Sequence, residues 1–122
     1  MGNSLAVSIG RAGEFFVGYK LQLRGLETAH VNTSCDLHVT LPSRRLLRLE
    51  VKTAQATTKH GRYKFYKGGS NSDYYAMVAL PEELMRIFHV SELKTKNMTT
   101  LRPESFTQQA EDDDIARLMS LE

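Results

Sequence analysis

Apolar and polar residues alternate in two neighbouring stretches of the chain. Leu37, Val39 and Leu41 are separated by His38 and Thr40; Leu47, Leu49 and Val51 are separated by Arg48 and Glu50, with Asp36 and Lys52 at the flanks. A period of two is that of a strand with one buried face, and Pro42, Ser43 and Arg44 supply a short hairpin connection. Pairing the arms about that turn sets Leu37 opposite Leu49, Val39 opposite Leu47 and Asp36 opposite Glu50. The apolar sides then coincide, and Asp36, Glu50 and Lys52 gather on the other face.

Elsewhere the period changes. Ile9, Ala12, Phe16, Tyr19 and Leu23 recur at steps of three and four, which predicts a helix over 8–24 with that stripe toward the core, Ser8 as N-cap and Gly25 as the stop. Glu14 lies off the stripe, beside Gly10, Val17, Gly18 and Leu21. A helix with two such faces is sandwiched or packs against another copy of the chain. Its three internal glycines each weaken it by roughly 1 kcal/mol relative to alanine, so close backbone approach is their expected purpose. Residues 26–32 predict a short edge strand, leading through Thr33 and Ser34 into the hairpin. Gly68 to Ser72 predicts a turn, 74–80 a buried strand and 84–90 another. The stretch 92–103 carries little signal. Asp112 to Asp114 precede Ile115, Leu118 and Met119, a short amphipathic helix with acids at its favourable end, or else a solvated tail.

At 122 residues the chain fits one domain, expected over 1–103, followed by an acidic segment over 104–122. There is no bilayer-length apolar run and no cleavable start, which points to the cytoplasm of a cell or of an infected host. A single cysteine, Cys35, excludes an internal disulfide and a cysteine-based zinc cluster. Net charge is only +2, but it is unevenly spread. Between Arg44 and Lys67 there are eight bases (Arg44, Arg45, Arg48, Lys52, Lys59, Arg62, Lys64, Lys67) against one acid, Glu50. From Glu104 onward the balance reverses. Such asymmetry points to a polyanionic partner. Lys59, His60, Arg62, Lys64 and Lys67 also interleave with Tyr63, Phe65 and Tyr66, so that cations can neutralise phosphates while rings stack on bases. A half-buried strand with a solvated basic face has the same pattern.

Two carboxylates facing each other across strands repel. A divalent cation offsets that repulsion, since hard ions such as Mg²⁺ bind one or two carboxylates and retain water for chemistry. Lys52 would lie beside that ion, placed to orient an attacking water and stabilise charge growing on a phosphate. An ordinary hairpin with a Glu–Lys pair on its solvent face shows the same spacing. His38 shares the face of Asp36.

The order Gly10-Arg11-Ala12-Gly13-Glu14 in a helix, Asp36 on a strand, Glu50-Val51-Lys52-Thr53, then Asp73-Tyr74-Tyr75-Ala76-Met77-Val78-Ala79 resembles the PD-(D/E)XK nuclease superfamily. It is similar in particular to small single-domain endonucleases of the intron-type homing and Holliday-junction-resolving kinds. The resemblance covers about residues 8–93, and Cys35 stands where the namesake proline would be. It implies a restriction-endonuclease-like core: a central mixed β-sheet flanked by helices, in αβββαβ-like order. Asp36 and Glu50 would be metal ligands with the Val51 carbonyl, and Glu14 would complete the metal site through water. Lys52 would be the catalytic lysine. The activity implied is Mg²⁺-dependent DNA endonuclease, with Mn²⁺ able to substitute. Arg44, Arg45 and the run Lys59 to Lys67 would hold the DNA backbone. So small a domain gains specificity from dimerisation, higher assembly or DNA shape, so at least a homodimer is expected. The competing readings are a non-catalytic nucleic-acid-binding module and an interaction subunit of a larger DNA-processing assembly.

Overall fold

The computed structural model describes residues 2–31, 35–68, 71–93 and 97–122. Helix α1 (Gly2–Leu23) leads into β1 (Glu27–His30), β2 (Leu37–Thr40) and β3 (Leu46–Ala54). Next come β4 (Tyr63–Tyr66), β5 (Tyr74–Ala79), β6 (Leu84–His89), β7 (Met98–Leu101) and helix α2 (Gln108–Met119). A five-stranded mixed sheet runs in the order β1-β2-β3-β5-β6, with β3 and β5 parallel and the other neighbours antiparallel. The hairpin has the register that the alternation predicts, Leu37 opposite Leu49 and Val39 opposite Leu47. The expected Thr33–Ser34 lead-in and the middle of the 68–72 turn lie outside the described residues. Among the described residues no helix is long and apolar enough to cross a membrane.

The expected mixed sheet flanked by helices is therefore present, but the αβββαβ order is not. Parallel strands need a crossover of a dozen or more residues, usually helical. Here the β3–β5 crossover carries β4 instead, which pairs with β7 in a separate two-stranded sheet. That small sheet roofs one face of the large one, and its buried Tyr63 and Phe65 pack with Ala54, Tyr75, Met77 and Phe106. The low-signal stretch 92–103 thus hides a strand, β7, whose four residues are too few to set a period.

The other face is covered by α1, and there the helix is turned from its predicted orientation. Val17 and Leu21 are fully buried against Leu37, Val39, Leu49 and Val51, while Tyr19 and Leu23 of the expected core stripe stand in solvent. The reason is steric. A Cβ at Gly13 would overlap the Thr53 side chain, and one at Gly18 would press on Thr28. Small residues let the helix backbone sit almost on the sheet, and closeness outweighs the size of the residues on the competing stripe. The helix also begins at Gly2, so Ser8 lies inside it rather than capping it.

α2 docks on the body rather than trailing as a tail. Thr107 caps it, its hydroxyl accepting the Ala110 N–H at 3.0 Å, and Ile115 and Leu118 enter the main core. Its acids are used individually. Glu111 accepts the Met85 N–H (3.0 Å) and Lys20 (3.0 Å), Asp114 accepts the Ile87 N–H and Arg86 (both 2.8 Å), and Asp112 pairs with Arg24 at 3.0 Å. Carboxylates on α2 thus satisfy backbone donors along the β6 edge, which would otherwise stay unpaired.

Gly13 and Gly10 provide a matched test of the helix contact. Gly13→Ala is expected to lower stability by about 1–3 kcal/mol through overpacking, despite alanine's better helix propensity. Gly10→Ala meets nothing within 4 Å and is expected to be neutral or to stabilise by up to about 1 kcal/mol. Thermal or urea unfolding of both variants measures the difference.

Candidate active site

β2 begins at Leu37, so beyond that residue β3 loses its antiparallel neighbour. The Val51 N–H is satisfied instead by the Asp36 carboxylate, whose Oδ2 accepts it at 2.8 Å. Asp36 is further tied at both ends, its own N–H donating to Leu49 O and its carbonyl accepting from Val31 (both 3.2 Å). This fixes one oxygen of Asp36 at the point where the strands part.

Glu50 and Lys52 project from β3 on the face opposite α1, the parity shared with Ala54 and the second core. The Lys52 Nζ stands 3.3 Å from Glu50 Oε2, with both side chains partly shielded from water. The chain returns to this point after β4, since a Cβ on Gly68 would lie 3.6 Å from the Lys52 Nζ. Tyr75 of β5 lies in register beside Glu50 and is fully buried.

Glu14 reaches the same region from α1. Burial raises its pKa above the ordinary carboxylate value, and the negative charge of Asp36 raises it further; His30, 3.6 Å away, partly opposes both. The buried Cys35 thiol is likewise pushed up by burial and then by the charges of Glu50 and Asp36. Asp36 is therefore the hub, felt by Glu14 on one side and by Cys35, with Glu50, on the other. Among the described residues no three His, Cys, Asp or Glu side chains close into a cation cage.

The basic residues divide. Arg44 and Arg45 sit at the hairpin turn, five or more residues along β3 from Glu50, or roughly 17 Å at strand spacing, and Arg45 bonds the Glu122 carbonyl at 3.2 Å. They do not join the carboxylates. Lys59, His60 and Arg62 are exposed in the turn that enters β4, and Lys64 lies 5.3 Å over the Tyr66 ring. Lys67 is held by its N–H on Asn97 O at 2.9 Å, one residue before the Lys52 contact. Of the interleaved aromatics only Tyr66 is exposed, because Tyr63 and Phe65 face the roofed core. Tyr63 is anchored there by its hydroxyl on Glu82 at 2.9 Å. His38 is half-buried opposite Arg48, which pairs with Asp73 at 3.2 Å.

His30 is the site neighbour that sequence reasoning missed. It packs on Phe15 with ring centroids 4.7 Å apart while reaching Glu14. Its place at the end of the first strand, one step before the chain turns back toward Asp36, was the available signal.

No protein-family model matches this sequence, and no curated protein matches it. Among solved structures, the bacterial homing endonuclease I-Ssp6803I is similar with a TM-score of 0.68 at 18% identity, over 92% of this chain and 85% of that one. Likeness at that identity is a likeness of fold: the mixed sheet with its flanking helices is common to both.

The raised pKa of Glu14 has a signed consequence for stability. Its ionised form is disfavoured in the folded chain, so the charge destabilises at neutral pH. That effect vanishes as pH falls through the raised folded value toward the ordinary 4.5. Glu14→Gln is expected to melt higher than the wild type at pH 7, with the gap closing near pH 4. Melting temperatures across that range give the readout.

Proposed function

We propose that this protein is a metal-dependent DNA endonuclease of the PD-(D/E)XK kind, hydrolysing phosphodiester bonds and acting as a homodimer or higher homo-oligomer. The observation that carries the reading is the meeting of Asp36, Glu50 and Lys52 where β2 and β3 part, in a fold shared with a homing endonuclease. The homing type is the closer of the two specific kinds on that fold likeness, and junction resolution is the other.

The donor set suits Mg²⁺. Asp36 spends one oxygen on Val51 and keeps the other for a ligand, and Glu50 and the Val51 carbonyl add hard oxygens. Mg²⁺ commonly takes one or two carboxylates and keeps its waters, so a cage of three side chains is not required. When bound, the ion would polarise a non-bridging phosphate oxygen and acidify a water. The chain's own residues supply the rest. Lys52, held by Glu50 and backed by the Lys67–Gly68 turn, orients the attacking oxygen and offsets charge on the phosphate. Glu14 positions water from the helix side.

Charge distribution supports a polyanionic substrate. Three acids of the C-terminal segment, Glu111, Asp112 and Asp114, are paired within the chain by Lys20, Arg24 and Arg86. Lys59, Arg62 and Lys64 have no acidic partner among the described residues and flank the strand that returns to Lys52. Phosphate contacts of this type set register without reading sequence.

The test is cleavage of a labelled panel (duplex, four-way junction, flap and single strand) with Mg²⁺ or Mn²⁺. Lys52→Ala is expected to abolish cutting, by at least about 10²-fold for the loss of a charge-stabilising donor, while DNA binding persists. Full activity in that variant would falsify the assignment. Cutting confined to a particular duplex sequence fits the homing kind, and symmetric cutting of the junction fits a resolvase. Metal binding is measured separately: Mg²⁺ or Mn²⁺ is expected to raise the melting temperature of the wild type but not of Glu50→Ala. DNA binding with neither cutting nor a metal shift would leave a binding subunit.

A further inference from the structure

The two edges of the central sheet are treated differently. At β6, α2 closes the edge, with Glu111 on the Met85 N–H, Asp114 on the Ile87 N–H and Arg117 donating to the Ile87 carbonyl at 2.6 Å. At the opposite end, among the described residues, β1 has a strand neighbour on its β2 side alone, and its four residues are mostly exposed. Glu27-Thr28-Ala29-His30 contains neither the lysine nor the proline that commonly protects an open edge.

Above that edge runs a stripe of exposed large apolar residues. Phe15, Tyr19 and Leu23, at successive steps of four on α1, remain 63%, 63% and 65% exposed, and Leu5 is exposed toward the N-terminus on the same side of the helix. A groove of about 420 Å³ separates the stripe from the strand, walled by Phe15, Gly18, Tyr19, Leu23, Thr28 and His30. Aromatic side chains carry roughly 150–250 Å² each, so Phe15 and Tyr19 alone leave on the order of 250 Å² in water, to which Leu23 adds. That is a substantial share of the roughly 800 Å² per partner that a stable interface uses.

We propose that this surface, the β1 edge with the Phe15–Tyr19–Leu23 stripe over it, is where a second copy of the chain docks. The inference rests on the oligomeric part of the functional reading and not on its chemistry. A second copy satisfies both unmet features at once. Antiparallel pairing of β1 with its copy, about a two-fold axis between Thr28 and Ala29, sets Glu27 of each copy against His30 of the other. It joins two five-stranded sheets into one continuous sheet. The same axis brings the two α1 helices, which lie over the same sheet face, stripe to stripe. Nucleic acid fits the surface poorly. No groove residue is cationic; of the bases around it, Lys20 and Arg24 are held by Glu111 and Asp112, which leaves Arg11, one turn before Phe15, as a single exposed cation at the rim. His30 walls the groove and contacts Glu14, so the dimer seam would border both candidate sites.

The experiment is the mass of the full chain in solution, by sedimentation equilibrium or light scattering at micromolar concentration, without DNA or metal. The wild type is expected at twice the 13.8 kDa protomer mass, and Tyr19→Glu/Leu23→Glu at the protomer mass with an unchanged circular-dichroism spectrum. A larger assembly that breaks down with the same substitutions also supports the surface. A wild type that stays monomeric overturns the proposal, as does a folded double variant that keeps its mass. A monomer whose double variant loses DNA binding overturns it in favour of nucleic acid. Should the double variant unfold, Tyr19→Cys decides: mild oxidation is expected to yield a covalent dimer, and its absence counts against the contact. The buried Cys35 stays out of that reaction. Cleavage is not read in any arm, so failure here and failure of the endonuclease reading are distinguishable.

Discussion

The backbone of β3 has two neighbours of opposite sense, and the structure is organised by what happens where one of them stops. Antiparallel β2 and parallel β5 both bond to it, but β2 begins only at Leu37, opposite Leu49, while β3 runs on through Glu50, Val51 and Lys52. A buried N–H without a partner costs about 1–3 kcal/mol, and Val51 is 92% shielded from water. The Asp36 carboxylate takes that donor. One hydrogen bond thereby completes the sheet and fixes an anionic oxygen beside Glu50. The requirement that secures the fold also positions the candidate chemistry, so these residues carry structural and functional constraints together.

The electrostatics follow a related logic. Near-neutral total charge conceals a segregation in which Glu111, Asp112 and Asp114 of α2 are matched to Lys20, Arg24 and Arg86. The exposed Arg24–Asp112 pair contributes little, whereas Lys20–Glu111 and Arg86–Asp114 are largely shielded from water; all three remove negative charge from the field outside the molecule. Lys59, Arg62 and Lys64, around the β4 turn, have no acidic partner among the described residues. An anionic polymer approaching the protein would meet that positive surface first, and Lys52 stands at its inner end.

Much of this was legible in the sequence, and the exceptions have physical causes. Strict alternation determined the hairpin register, because a slip of one residue would have put Leu37, Val39, Leu47 and Leu49 into water. The hydrophobic run 74–80 marked a strand buried on both faces, as β5 is. The helix face was misjudged because a stripe of large apolar residues looks like a core, whereas the decisive property was the absence of side chain at Gly13. Tyr63 and Phe65 looked available for stacking because nothing local reveals β7, the strand that completes the roof over them. The candidate carboxylates and lysine were legible from spacing. The link from Glu14 to His30 was not, since it depends on how closely α1 and β1 approach.

The run Asp112-Asp113-Asp114 reads as one low-complexity letter repeated, yet helix geometry divides it into different environments. Asp114 and Glu111, the acid just before the run, point inward to the β6 backbone; Asp112 bonds Arg24 and Gln108 at the surface, and Asp113 reaches Gln109. Mutational tolerance along these four consecutive acids should therefore rise and fall with the turn of the helix. The charge could be removed freely at 113, with modest effect at 112, and hardly at all at 111 or 114. A segment whose composition suggests interchangeable solubilising charge is, position by position, the selvedge of the sheet.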